Sequence, residues 1–102
     1  ETRRRLLALL VNDDELCVCE LCHALDMPQP KVSRHLAVMR ERGVLTVRRD
    51  GLWVYYRIHP ILPSWAYRIL DQMVQGCGGQ ELFLSDRKRL DGMTNRPARC
   101  CA

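Results

Sequence analysis

The 102-residue chain has no apolar run approaching the ~18 residues of a membrane span, and no charged, apolar and small-residue series resembling a secretory signal. The expected compartment is therefore the reducing cytoplasm. Internal repeats and low-complexity tracts are missing, which leaves one small domain as the reading. No strand–helix alternation of a βαβ unit is present, and no nucleophile sits in a pattern with an orienting base, so the chain does not read as an enzyme. Cysteine is also too scarce for a disulfide scaffold: six residues are about 6% of the chain, below the roughly 8–10% of short secreted frameworks.

The placement of those cysteines says more than their number. Cys17, Cys19 and Cys22 lie within six residues, Cys100 and Cys101 are adjacent, and Cys77 stands alone. Residues this close together close loops too small to constrain an unfolded chain, so clustered thiols suggest soft-metal ligation or redox chemistry. Hydrophobic residues make up 47% and charged residues 27%, an ordinary globular balance that argues against general disorder. A domain of this size buries somewhat over ~60% of its unfolded surface, so its stability is modest and a partner subunit would help.

The net charge of +4 is unevenly placed. Residues 28–58 carry seven basic residues (31, 34, 40, 42, 48, 49 and 57) against two acids (41 and 50), a local excess of +5. A localised excess favours a polyanionic partner, nucleic acid before an anionic membrane, or else a solvated basic face.

Coarse periodicity then orders the elements. Thr2 is placed to cap a helix over 3–11, with Leu6, Leu7 and Leu10 as its buried stripe and residues 12–14 as its stop. The chain opens with Glu1 directly at this cap, and an upstream segment is expected. A second helix reaches about Leu25, with Cys17 at the cap, Glu20 three residues on, and Leu16 and Leu21 as a hydrophobic staple. Cysteine is a poor cap where serine would serve better, so its presence calls for a chemical reason.

After the turn at residues 26–28, a third helix is expected from Gln29 to about Arg42, ended by Gly43. Val32, Leu36 and Met39 face inward. A step of about 100° per residue then points Pro30, Arg34 and Ala37 outward, flanked by Lys31 and Ser33. His35, at the edge of the buried side, reads as a structural hydrogen-bonding residue rather than a ligand. Residues 44–47 and 53–58 read as strands joined through Asp50-Gly51. A last helix follows Pro60 and Pro63, with apolar pairs at 61/62, 65/66, 69/70 and 73/74 that suit a core or a subunit interface. From Gly76 onward the composition suggests a flexible tail, residues 76–102, with at most one short helical piece near 81–89.

Two helices joined by a tight turn, the second basic, followed by a basic hairpin, describe a winged helix-turn-helix: mainly α with a small β-hairpin. Gln29, Lys31, Ser33 and Arg34 are the candidates for base and phosphate contacts in the major groove, and Arg48 and Arg49 on the wing for the backbone or minor groove. The string Glu15-Leu-Cys-Val-Cys-Glu-Leu-Cys22, with Gln29-Pro-Lys-Val-Ser-Arg-His-Leu36 and Gly51-Leu-Trp-Val-Tyr-Tyr-Arg57, resembles the ArsR family of metalloregulatory repressors over about residues 1 to 75. The resemblance implies a homodimer on operator double-stranded DNA that leaves when As(III) or Sb(III) binds, with Cys17, Cys19 and Cys22 as ligands. The family's domain carries a further helix upstream of Glu1, and Pro28 stands where relatives usually have a small capping residue.

Residue chemistry points the same way. Trivalent arsenic binds three thiolates in a pyramid, whereas zinc usually takes four ligands. A helix N-terminus lowers thiol pKa, and Cys17 and Cys19 are placed to benefit. In a continuous helix Cys19 and Cys22 are neighbours, but Cys17 and Cys19 lie about 200° apart, so convergence of all three must bend or unwind the first turn. Three readings stay beside this one. The thiols could be small buried hydrophobes; the chain could be a cadmium, lead or zinc sensor of the same fold; or Cys19-Glu-Leu-Cys22 could be a thiol-redox C-x-x-C. Some relatives bind zinc on the last helix through acid and histidine pairs, but residues 61–75 hold only Asp71 and no histidine. Cys77, Cys100 and Cys101 could form a second soft site or simply sit in the tail.

Overall fold

The computed structural model describes residues 1–77 and 79–93, which form five helices and a three-stranded antiparallel sheet in the order β1-β3-β2. Helix α1 (Thr2–Asn12) buries Leu6, Leu7, Leu9 and Leu10, including all three residues of the expected stripe. Its start differs from the expectation. Glu1 occupies the N-cap position without a side-chain bond, and Thr2 is already helical. Strand β1 (Leu16–Cys17) leads directly into α2 (Val18–Leu25), and a left-handed Asp26 at φ 53° turns the chain toward α3 (Gln29–Glu41).

Helix α3 buries Val32, Leu36 and Met39 and exposes Pro30, Arg34 and Ala37, as the period requires. Gly43 at φ +80° ends it in a Schellman arrangement: the Gly43 N–H donates to Arg40 O at 3.1 Å, and the Val44 N–H to Met39 O at 3.0 Å. Because Val44 is spent on this cap, strand β2 spans Leu45–Asp50 rather than 44–47. It pairs with β3 (Trp53–Ile58) from Leu45↔Ile58 out to Asp50↔Trp53. The turn residues are thus Gly51 and Leu52, not Asp50 and Gly51. A positive φ at Gly51, the first of the two, suits a type II′ turn with glycine leading.

The core joins α1, α2 and α3 with the inner face of the sheet: Leu16, Leu45, Tyr56 and Ile58 pack with Leu21, Leu25, Val32 and Leu36. This is a winged helix-turn-helix. Helix α4 (Ser64–Cys77) begins only after Pro63, so Ile61 and Leu62 precede it, and Val74 is its one buried residue. Ile61, Trp65 and Ile69 are 79%, 66% and 61% exposed, leaving one edge of the apolar stripe bare while Leu70 and Met73 pack against the core.

The largest departure from the expected layout follows Gly79. Helix α5 (Glu81–Asp91) is not a tail but a packed element, with Phe83, Asp86 and Leu90 buried. Its charges misled the reading of composition because one of them, Asp86, is buried and paired. Buried Asp86 accepts two bonds from Arg5, from Nε at 2.8 Å and from Nη2 at 2.6 Å, and a third from Arg89 at 2.9 Å. Arg5 also donates to Leu25 O at 3.1 Å, and Arg89 to Ala24 O at 2.7 Å. One carboxylate therefore aims two guanidinium groups at the last carbonyls of α2, groups that a helix end otherwise leaves unpaired. Hydrogen bonding to Asp86 raises the Arg5 pKa against the opposing effect of burial.

Removing one partner of a buried pair strands the other, so Asp86→Ala is expected to lower unfolding free energy by about 3–5 kcal/mol. Replacing the pair with apolar residues, Arg5→Met with Asp86→Leu, should recover most of that loss. Urea denaturation of the two variants checks both expectations.

Candidate functional site

Cys17 belongs to two elements at once. It is the last residue of β1, paired with Tyr55 of β3, and the N-cap of α2 with extended backbone at φ −86° and ψ 169°. Its N–H donates to Glu20 Oε1 at 3.0 Å, and its sulfur faces the Glu20 N–H, so the expected capping box is present with sulfur as the weaker half. Glu20 is itself buried. The cap thus ties the start of the helix to the end of the strand.

The three clustered thiols occupy unlike environments. Cys17 is buried at 1% exposure, Cys22 is half-buried against the main core, and Cys19 is exposed. All three are free. No group of three metal-binding side chains converges among the described residues, so this conformation does not assemble a tridentate site. The thiol of Cys17 is not activated by the helix start as expected. Burial pushes it up to about 11, outweighing the Glu20 N–H. Burial also raises Cys22, and Cys19 adds to the effect.

Cys17, Val18 and Cys19 line one side of a pocket of about 190 Å³, with Gln29 of α3 and Leu52, Trp53 and Val54 of the wing on the other. Two of the clustered thiols, the start of α3 and the wing therefore meet in one place. Of the candidate DNA contacts, Gln29, Lys31 and Arg34 are exposed, Ser33 is half-buried, and Arg49 is exposed on β2. His35 is half-buried and accepts from Arg3 Nε at 3.2 Å, the structural role expected of it. Desolvation lowers its pKa, with Arg3, Arg34 and Lys31 adding to the effect.

Arg48 is not a free cation. It donates from Nη2 and Nε to Glu15 at 2.5 and 3.1 Å, and its guanidinium lies 4.7 Å from the centre of the Tyr55 ring. Glu15 escaped the sequence reading because the strand it precedes, β1, has only two residues, too few to display a period, and the role of Tyr55 because its neighbours come from two other strands. The spacing of Glu15 and Cys17, two apart, was the available signal: in extended chain both side chains point to one face. Cys77 ends α4 half-buried beside the small Ala8, Val74 and Phe83 cluster, while Cys100 and Cys101 lie outside the described residues.

The model of the bacterial regulatory protein arsR family matches residues 1–47. The arsenic resistance transcriptional regulator ArsR1 of Pseudomonas putida is 50% identical over 97 residues, 95% of this chain and 74% of the relative. The arsenical resistance operon repressor of Escherichia coli is 54% identical over 72 residues, 71% of this chain and 62% of the relative. Among solved structures, the AntR antimony-specific transcriptional repressor matches with a TM-score of 0.60 and 30% identity, over 78% of this chain and 71% of that one.

The raised Cys17 pKa has a pH signature. Below the ordinary thiol value of 9.0 both folded and unfolded chains keep the proton; above it the unfolded chain releases a proton that the native state retains up to about 11. Stability therefore falls as pH rises through that window, by up to about 3 kcal/mol for this group. Cys17→Ser should remove that part of the slope in denaturation curves taken at successive pH values.

Proposed function

The chain belongs to the ArsR family of bacterial regulatory proteins, and from that premise we propose that it is a repressor that holds operator DNA as a homodimer and releases it when As(III) or Sb(III) engages Cys17, Cys19 and Cys22. Its place of action is then the cytoplasm, where the operator is. The observation that carries the reading is the presence of three free thiols within six residues at the strand–helix junction of a winged helix-turn-helix. A soft trivalent centre prefers three thiolates, and this donor set has no histidine or carboxylate to favour zinc.

Cys19 and Cys22 stand at i and i+3 in α2 and can meet on one atom. Cys17 joins them only by leaving its cap, which breaks the Glu20 bond and opens the first turn of α2. Helix α2 packs against α3, so a shifted α2 start displaces the face bearing Gln29, Lys31, Ser33 and Arg34. A coupling of about 1–3 kcal/mol, typical of allosteric proteins, corresponds to a roughly 5- to 150-fold loss of operator affinity. The bare Trp65 and Ile69, four apart on α4, with Ile61 exposed just ahead of it, support a second copy of the chain as the partner, because they leave an apolar strip that a two-fold interface would cover. On DNA the two wings would then place Arg49 near the backbone on either side.

Operator titrations with arsenite, antimonite, cadmium and zinc test this function. Release is expected with the first two; release by cadmium or zinc alone would sink the assignment. Cys17→Ser, Cys19→Ser and Cys22→Ser should each hold the operator at arsenite doses that free it from the wild type, and a variant that still responds removes that residue from the ligand set.

A further inference from the structure

The wing is fastened to the sensor strand by two tethers on the same row of residues. The first is the backbone: Cys17 pairs with Tyr55, which pairs in turn with Arg48 on β2, so the three lie in line across the sheet. The second runs through side chains. Arg48 covers the Tyr55 ring and reaches back to Glu15, two residues before Cys17. Tyr55 is buried beneath this arrangement although it faces away from the main core. A fork-like bidentate contact of this kind tolerates little displacement of either partner.

We propose that Glu15 and Arg48 are positioning residues that carry the inducer signal from Cys17 to the wing, a role that rests on the ligand assignment proposed above. When Cys17 leaves its cap to meet Cys19 and Cys22, its pairing with Tyr55 opens and Glu15 is drawn with it. Both tethers then fail together. The wing loses its fixed angle to α3, and Arg48 loses the support that sets its direction at the DNA surface. Disturbance of α3 alone leaves β1, β3 and this ion pair without a part in release; here the hairpin becomes a second output of the same thiol movement.

Glu15→Gln separates the two outputs. The residue is half-buried at the surface, and the amide keeps its shape while losing the charge. Operator affinity is measured with and without saturating arsenite, and arsenite uptake is followed independently by thiolate–arsenic ultraviolet absorbance. The wild type is expected to release the operator, and Glu15→Gln to bind arsenite with unchanged stoichiometry and a thermal midpoint lowered by no more than about 5 °C. The ratio of arsenite-free to arsenite-bound affinity should shrink by about threefold, the scale of one partly exposed ion pair. Glu15→Asp, which keeps the charge, should recover part of the ratio. In the wild type, arsenite should also speed amide exchange in residues 53–58 by about tenfold, since a strand released on one edge opens more readily.

A ratio equal to the wild type in Glu15→Gln, or unchanged exchange in residues 53–58, overturns the wing tether while leaving the ligand assignment intact. Failure of the wild type itself to release the operator overturns both.

Discussion

The structure turns on a single backbone position that two secondary structures share. Cys17 ends a strand and caps a helix, and in that conformation it does not converge with Cys19 and Cys22 on one site. Strand pairing fixes its backbone in the extended region, the capping box fixes its side chain beside Glu20, and burial holds it protonated. A serine would fill the cap better but could not ligate a soft centre. The cost of a weak cap is the price of a residue that can leave it.

The proposed departure of Cys17 from its cap is useful only if the rest of α2 stays in place. The far end of the helix is held by Asp86, which directs Arg5 and Arg89 onto the carbonyls of Ala24 and Leu25. With its C-terminal end pinned from α1 and α5, and its middle packed through Leu21 and Ala24, α2 can yield mainly at the first turn. In the proposed release, the two helices that look peripheral to DNA recognition would set where α2 bends. They also explain why the chain is compact through Leu90 and not only through the wing.

Much of this was legible in the sequence. The periods of α1 and α3, the glycine stop at Gly43 and the Cys17–Glu20 box all follow from spacing, whereas Cys17 stands outside the helix, so its separation from Cys19 is not the one a continuous helix sets. What escaped was set by distant partners. Strand β1 exists because β3 offers it an edge, not because two residues prefer extended structure. The charged run in α5 reads as solvated until Arg5, 81 residues away, supplies the partner that buries Asp86. Environment likewise reversed the expected activation of Cys17. A helix start favours the thiolate, but desolvation at a fully packed junction outweighs it, and sequence alone does not reveal that the junction is packed.

Convergence of the three thiols, as proposed, requires the first turn of α2 to open. Backbone carbon chemical shifts of Val18, Cys19 and Glu20 with one equivalent of arsenite measure this directly. These shifts are expected to move from helical to non-helical values while those of Leu21 to Leu25 stay helical. Helical shifts retained at Val18 to Glu20, in a complex where arsenic has three sulfur neighbours, would contradict it.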